Sequence, residues 1–210
     1  MKHRKLVLST NNIHKVEEIK DILKDLPIEV LSKKDLGLEE LDVVEDGTTL
    51  EENSIKKAKA LSNKTDYMVM ADDSGLFVEA LNGVPGVYSS RYAGEEGNDL
   101  KNNKKLIKEL ENIPLENRNG SFKTVIALVT EEKQVLTVRG ECKGHIISSP
   151  RGENGFGYDP LFIPEGYNET FGELGEEVKN KISHRAKALE EIRKTLINLL
   201  KEDLQWRSLY

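Results

Sequence analysis

Tyr67-Met68-Val69-Met70-Ala71-Asp72-Asp73-Ser74-Gly75 is the stretch on which the reading of this chain turns. The run from Tyr67 to Ala71 has the length and composition of a buried strand, and Gly75 predicts a sharp turn after it. Two adjacent carboxylates at the end of a buried strand are costly unless something cationic meets them. A divalent metal is one such partner, because hard cations take carboxylate oxygens. Asp, Ser and Gly are also ordinary turn residues. On this stretch alone a solvated turn is the plainer reading, so the decision rests on what the rest of the chain supplies.

Upstream, Leu6-Val7-Leu8 reads as a short buried strand that runs into the polar turn Ser9-Thr10-Asn11-Asn12. Val16, Ile19, Ile22, Leu23 and Leu26 then recur at helical spacing, and Pro27 stops the helix. A strand, a polar turn and a helix N-terminus make a generic anion site, to which Lys15 adds a point charge. The same residues also make an ordinary N-cap. The Gly-x-x-x-x-Gly-Lys pattern is absent, so this is not a P-loop. Ile28 to Leu31 reads as a second strand. The acidic loop after it, with Glu39, Glu40, Asp42, Glu45 and Asp46 before Gly47, reads as a solvated surface. Thr48 or Thr49 caps a helix with Leu50, Ile55, Ala58 and Leu61 on one side; Asn53, Lys56 and Lys57 lie on other faces.

Downstream, Leu76 to Leu81 is an apolar segment, strand or short helix. The turn-rich stretch Asn82 to Gly94 has the irregular length that borders functional clefts. Asp99 to Asn112 is a polar helix. Phe122 to Thr130 and Gln134 to Glu141 form a strand pair about the turn Glu131-Glu132-Lys133, and the first is apolar on both faces, which predicts a central strand. Pro150 to Pro160 interleaves glycines with aromatics. Such a loop approaches a flat ligand closely and stacks a ring on it, or plugs the core as a tight structural loop. Asp159 can accept hydrogen bonds from ring N–H groups. Ser183 caps the last helix, whose buried stripe is Leu189, Ile192, Leu196 and Leu199. Arg185, beside His184 in its first turn, opposes the helix dipole: either a ligand or carboxylate partner lies nearby, or it is a surface arginine. Gln205 to Tyr210 reads as a short C-terminal tail.

Length and composition set bounds. The 210 residues, 37% hydrophobic and 32% charged, describe one globular domain over 1–210 with room for two lobes. A net charge of −6 argues against an exposed duplex-binding surface, so no nucleic-acid polymer is expected as partner. Cys142 is the only cysteine, which excludes an intrachain disulfide and a cysteine-based zinc site. The histidines show no metal-ligand spacing. The basic start, Met1 to Lys5, leads only into Leu6-Val7-Leu8, too short for a signal peptide, and no stretch is suited to span a membrane. The expected location is the cytoplasm, with no membrane partner.

In register, these pieces resemble the inosine triphosphate pyrophosphatase family, also called the Ham1-like or RdgB-like nucleoside triphosphate pyrophosphatases. Five places carry the likeness: Thr10-Asn11-Asn12-Ile13-His14-Lys15; Glu52-Asn53 with Lys57; Ala71-Asp72-Asp73-Ser74-Gly75-Leu76, continuing to Pro85-Gly86-Val87-Tyr88-Ser89-Ser90-Arg91-Tyr92; Phe156-Gly157-Tyr158-Asp159-Pro160; and Ser183-His184-Arg185. The match runs from about Leu6 to the last helix. Asn11 stands where bacterial members usually have Gly; asparagine tolerates left-handed backbone, which would keep the loop's shape.

The resemblance implies an α/β fold with an elongated central mixed sheet, flanking helices and two lobes around an active cleft. It implies a homodimer that hydrolyses inosine, deoxyinosine and xanthosine triphosphates to the monophosphate and pyrophosphate with Mg2+. Residue by residue, it implies phosphate binding by Lys15, Lys57, Lys179 and the Thr10-Asn11-Asn12 loop, and a substrate hydrogen bond from Ser74. Metal ligation falls to Glu45 with Asp73 and Asp72, Glu40 being the alternative to Glu45. Asp73 is the catalytic candidate, orienting or deprotonating the attacking water. Phe156 stacks on the base in the loop Phe156-Gly157-Tyr158-Asp159, Asp159 or backbone oxygens face N1, and His184 and Arg185 donate to the 6-oxo group. Adenine offers an amino donor there instead, and such mismatches discriminate strongly. Two rivals are a non-catalytic purine nucleotide sensor and a Maf-type nucleotide pyrophosphatase. The Ser-His-Arg and Phe-Gly-Tyr-Asp motifs argue against the second, and the paired aspartates with Lys15 against the first.

Overall fold

Alternation of apolar side chains organises the sheet. In the computed structural model, which describes residues 4–207, β1 (Arg4–Leu8), β2 (Ile28–Ser32), β3 (Met68–Val78), β4 (Asn119–Val129), β5 (Val135–Ile146) and β6 (Phe162–Pro164) form one sheet in the order β2-β1-β3-β4-β5-β6. β1 pairs in parallel with β2 and β3, and β5 pairs antiparallel with β6, so the sheet is mixed. β4 lies inside it, as its two apolar faces predict. The helices are α1 (Ile13–Leu23), α2 (Leu50–Ser62), α3 (Asp99–Glu109), α4 (Glu176–Ile182) and α5 (His184–Arg207). α5 carries through Gln205, Trp206 and Arg207, and the rest of the predicted tail, 208–210, lies outside the described residues. Among the described residues no helix is long and apolar enough to cross a membrane.

The chain packs as two compact units. The first comprises the residues up to 73, 125–139 and those from 188 onward; the second comprises 74–124 and 140–187. In the first, the period-2 pattern sorts each strand's side chains onto two faces. Leu6 and Leu8 of β1, Met68 and Met70 of β3, and Ile126 and Leu128 of β4 join Val16, Ile19 and Leu23 of α1 and Leu189, Ile192 and Leu196 of α5. Val7, Val69, Ala71, Ala127 and Val129, the alternate positions, join Ala58 and Leu61 of α2. The second unit has its own core of Leu76, Val78, Phe122, Cys142, Ile146, Phe162 and Phe171 with Leu106 of α3 and Leu110 at its C-cap.

The turn expected at Gly75 is not there. β3 runs unbroken from Met68 to Val78, and a 3-10 turn over Glu79–Leu81 ends it. Glycine in a strand interior signals close backbone approach as often as a turn. A Cβ at Gly75 would stand 2.2 Å from the Gly86 carbonyl oxygen and 3.0 Å from Ser89 Oγ. That Ser89 hydroxyl accepts from the Leu76 N–H at 2.9 Å and donates to the Gly86 oxygen, bracing the approach. Asp72 and Asp73 are therefore interior strand residues, not turn residues.

Gly75→Ala is expected to lower stability by about 1–3 kcal/mol, the usual cost of forcing extra volume into a filled space. Thermal unfolding should show a Tm lower by roughly 2–4 °C per kcal/mol for a chain this size. An unchanged Tm would mean that the 86–89 segment moves away at no cost.

Candidate active site

The first unit gathers the charges. Asp72 and Asp73 are neighbours on β3, so their side chains leave opposite faces of the sheet. Asp72 Oδ2 accepts from Lys15 Nζ at 2.7 Å. Asp73, only 9% exposed, accepts from Lys57 Nζ at 3.2 Å through Oδ1 and from Asn53 Nδ2 at 3.2 Å through Oδ2. Lys57 Nζ also donates to Glu45 Oε2 at 3.0 Å. Asn53 and Lys57 are one helical turn apart on α2 and so share a face. The helix is started by Thr49, whose hydroxyl accepts from the Glu52 N–H, which decides between the two capping threonines. The Asn53 carbonyl accepts from the Gly47 N–H at 2.8 Å, so one buried amide ties the acidic loop and Asp73 together. Asn53 has the role that motif reading missed; its spacing of four from Lys57 is the signal that points to it.

The anion loop keeps its course through side-chain hydrogen bonds. Thr10 Oγ1 accepts from the Asn12 N–H at 3.1 Å, and Asn12 Oδ1 accepts from the Lys15 N–H at 3.3 Å, capping α1. Asn11 Nδ2 donates to the Glu39 oxygen at 3.3 Å. The left-handed backbone foreseen for Asn11 is not used: among the described residues, the non-glycine positions with positive φ are Asn82 and Lys133.

Burial dominates the electrostatics of this cluster. It pushes the Asp73 carboxyl up to about 6, with the nearby Glu45 charge adding to the rise and Lys57 and Asn53 opposing it. Burial also works against the Lys57 ammonium, but Asp73, Asp72 and Glu45 outweigh it and hold its pKa above the usual lysine value. Among the described residues no group of three or more histidine, cysteine, aspartate or glutamate side chains forms a metal cage. Glu45 and Asp73 nevertheless converge on a single point, the Lys57 ammonium, at 3.0 and 3.2 Å. Two converging carboxylates fit magnesium, which keeps waters and substrate phosphate oxygens for its remaining positions. Glu40 is exposed on its turn, and Glu45 is the glutamate of the acidic loop that joins the cluster.

The second unit gathers the rings. Phe156 is 53% exposed, a large apolar surface left open. Lys179 Nζ lies 5.1 Å and the Arg185 guanidinium 5.6 Å from its ring centroid, within cation–π range. Lys179, expected among the phosphate cations, is ion-paired with Asp159, as Lys15 and Lys57 are with Asp72 and Asp73. Asp159 is 3% exposed, and its Oδ2 also accepts from the Phe156 N–H at 2.9 Å. Its carboxylate thus anchors the loop from within. Gly155 adopts φ +78°, and a Cβ there would stand 2.1 Å from Asp159 Oδ2 and 3.0 Å from Lys179 Nζ, so this pair requires glycine. The Tyr158 ring is buried, and its hydroxyl donates to the Ser89 oxygen at 2.8 Å; burial raises its pKa. Tyr158 thus serves the core more directly than a ligand. His184 stacks on Phe122 with centroids 4.9 Å apart, and Ser183 Oγ accepts from the Ala186 N–H at 3.1 Å, capping α5 as expected. The Ser74 hydroxyl donates to Thr124 Oγ1 at 2.7 Å.

The family model described as "Ham1 family" matches residues 6–195 of this chain. A protein named dITP/XTP pyrophosphatase from Thermoanaerobacter pseudethanolicus is 51% identical over 198 residues, 94% of this chain and 99% of that protein. One of the same name from Clostridium perfringens is 48% identical over 204 residues, 94% of this chain and 100% of that protein. The solved structure of the Staphylococcus aureus Ham1 protein superimposes with a TM-score of 0.85 at 38% identity, covering 93% of this chain and 99% of that one.

Because the folded protein holds the Asp73 proton more tightly than the usual carboxyl value of 3.8, stability falls as pH rises from about 4 to 6. Asp73→Asn, which keeps the neutral form, is expected to raise the Tm of the metal-free protein at pH 8. The gain, at most about 3 kcal/mol from two units of pKa, should vanish near pH 4. Magnesium should raise the wild-type Tm more than the variant's. A gain that is the same at both pH values would show that the charge of Asp73 is not what costs stability.

Proposed function

The chain belongs to the Ham1 family, and on that footing we propose that it hydrolyses deaminated purine nucleoside triphosphates, dITP, XTP and ITP, to the monophosphate and pyrophosphate. The observation that carries this reading is the buried Asp73, with its raised pKa, held against Lys57 and Asn53 beside Glu45. A carboxylate with one oxygen against Lys57 and the other against Asn53 is held in one orientation, as a group that aligns a water must be.

Lys15 and Lys57, with the N–H groups of the Thr10–Asn12 loop, bind the phosphates. Glu45 and Asp73 would hold magnesium, whose chemistry there is to offset charge on the phosphate oxygens. Asp73 orients and deprotonates the water that attacks the α-phosphorus, and Lys57 keeps its carboxylate in place. Pyrophosphate leaves as its bond to the α-phosphorus breaks. Asn53 fixes the second oxygen of Asp73, so the carboxylate presents one orientation. For base recognition, Phe156 stacks on the base, while Arg185 and His184 donate to its 6-oxo group. Lys179 supports the Phe156 loop through its ion pair with Asp159. The working form we assign is a cytoplasmic homodimer, on the family likeness.

Turnover of inosine triphosphate with magnesium, followed by pyrophosphate release, tests the activity directly; absence of turnover on all three deaminated nucleotides would overturn it. Asp73→Asn should reduce kcat at least about a hundredfold, as loss of a proton acceptor does, while nucleotide binding persists in calorimetry. Light scattering of the wild type at micromolar concentration should report two chains.

Arg185→Ala should lower kcat/KM for inosine triphosphate about tenfold to a hundredfold, the loss of one charge-assisted hydrogen bond of roughly 1.5–3 kcal/mol. The low value for adenosine triphosphate should stay within about twofold, since adenine never makes that bond. Equal losses on both nucleotides would place Arg185 at the phosphates.

A further inference from the structure

Phe156 poses a mechanical problem. At 53% exposure its ring is only partly packed, with Lys179 and Arg185 within cation–π range, so the course of its backbone contributes to where the ring stands. On its own side, the Phe156 N–H donates to Asp159 Oδ2 at 2.9 Å, and its oxygen accepts from the Asp159 N–H at 3.2 Å. The next residue is gripped from outside the loop. The Gly157 N–H donates to Asp99 Oδ2 at 2.7 Å, and the Gly157 oxygen accepts from Asn103 Nδ2 at 3.0 Å. Asp99 and Asn103 are one turn apart on α3 and so share a face. The two side chains take both polar groups of one residue, donor and acceptor.

The sequence of α3 makes sense in this light. Asn102 and Asn103 are 1% and 8% exposed, and buried amides on a helix are costly unless bonded. Asn102 uses its amide to hold α3 itself: it accepts from the Ala93 N–H at 2.8 Å and donates to the Ser90 oxygen at 3.1 Å. The Tyr158 hydroxyl reaches the adjacent Ser89 oxygen. α3 and the aromatic loop are thus fastened to the same 89–93 segment as well as to each other.

We propose that Asp99 and Asn103 are positioning residues for base recognition, a clamp from α3 that fixes the backbone from which Phe156 projects before substrate arrives. The proposal rests on the stacking role given to Phe156 above. Neither residue touches substrate. They act by removing the ordering cost that a free loop would meet on binding.

A double-mutant cycle on the full-length protein tests it. Asp99→Ala should raise KM for inosine triphosphate about tenfold, as lost preorganisation does, with kcat within about threefold. Asp99→Asn, which keeps an acceptor oxygen, should restore KM to within about threefold. In a Phe156→Ala background the effect of Asp99→Ala should shrink below about twofold, because coupled residues are not additive. Inhibition by magnesium pyrophosphate, which has no base, should not change. If Asp99→Ala does not fold, Asn103→Ser enters the same cycle. An unchanged KM, or the same KM rise with and without the Phe156 ring, overturns the clamp while wild-type turnover leaves the proposed function standing. A wild type without turnover on any deaminated triphosphate overturns both.

Discussion

A carboxylate buried on an interior strand has to be met by a cation, and Asp73 is where this chain meets that requirement. At 9% exposure its ionised form is expensive, which is why burial heads the causes that raise its pKa. The surrounding parts answer that cost. α2 contributes an ammonium and an amide from one face, Lys57 and Asn53. The same amide reaches Gly47 and brings in the acidic loop, from which Glu45 meets the same ammonium. Lys57 is thereby matched by two carboxylates.

The ring cluster of the second unit has the inverse logic. There an apolar surface is left in water and polar groups hold the loop that carries it: Asp159 from within, Asp99 and Asn103 of α3 from outside. Lys179 and Arg185 lie within cation–π range of the open ring. Arg185 sits in the first turn of α5, where a positive charge meets the unfavourable end of the helix dipole. At 7% exposure it is not the surface arginine that the sequence also allowed, and its neighbour is the Phe156 ring. A buried charge and an exposed ring each break a local rule of folding, and such violations are expected at functional sites.

Glycines divide these two arrangements instructively. Gly75 lies in extended strand and is needed for the space beside it, because the Gly86 carbonyl stands where a side chain would begin. Gly155 is needed for both its left-handed backbone and its space, because the Asp159–Lys179 pair fills the site a methyl would take. One sequence signal, a glycine beside functional residues, covers two different physical requirements.

The alternation in β1, β3 and β4 and the stripes of α1, α2 and α5 were legible in the sequence alone. Which face a residue occupies follows from a local periodicity of two or 3.6. The central place of β4, the cap at Ser183 and the helical start after Asn12 were legible for the same reason. The motifs, read as a family likeness, named most of the charged and aromatic residues. Only the tertiary structure decided the partners. It placed Glu45, not Glu40, on Lys57, paired Lys179 with Asp159, gave Asn53 to Asp73, ran β3 straight through Gly75, and set Asp99 and Asn103 against Gly157. These are contacts over 12 to 58 positions of chain. Local pattern carries no information about which distant group will arrive, because that depends on how the loops close once the sheet has formed.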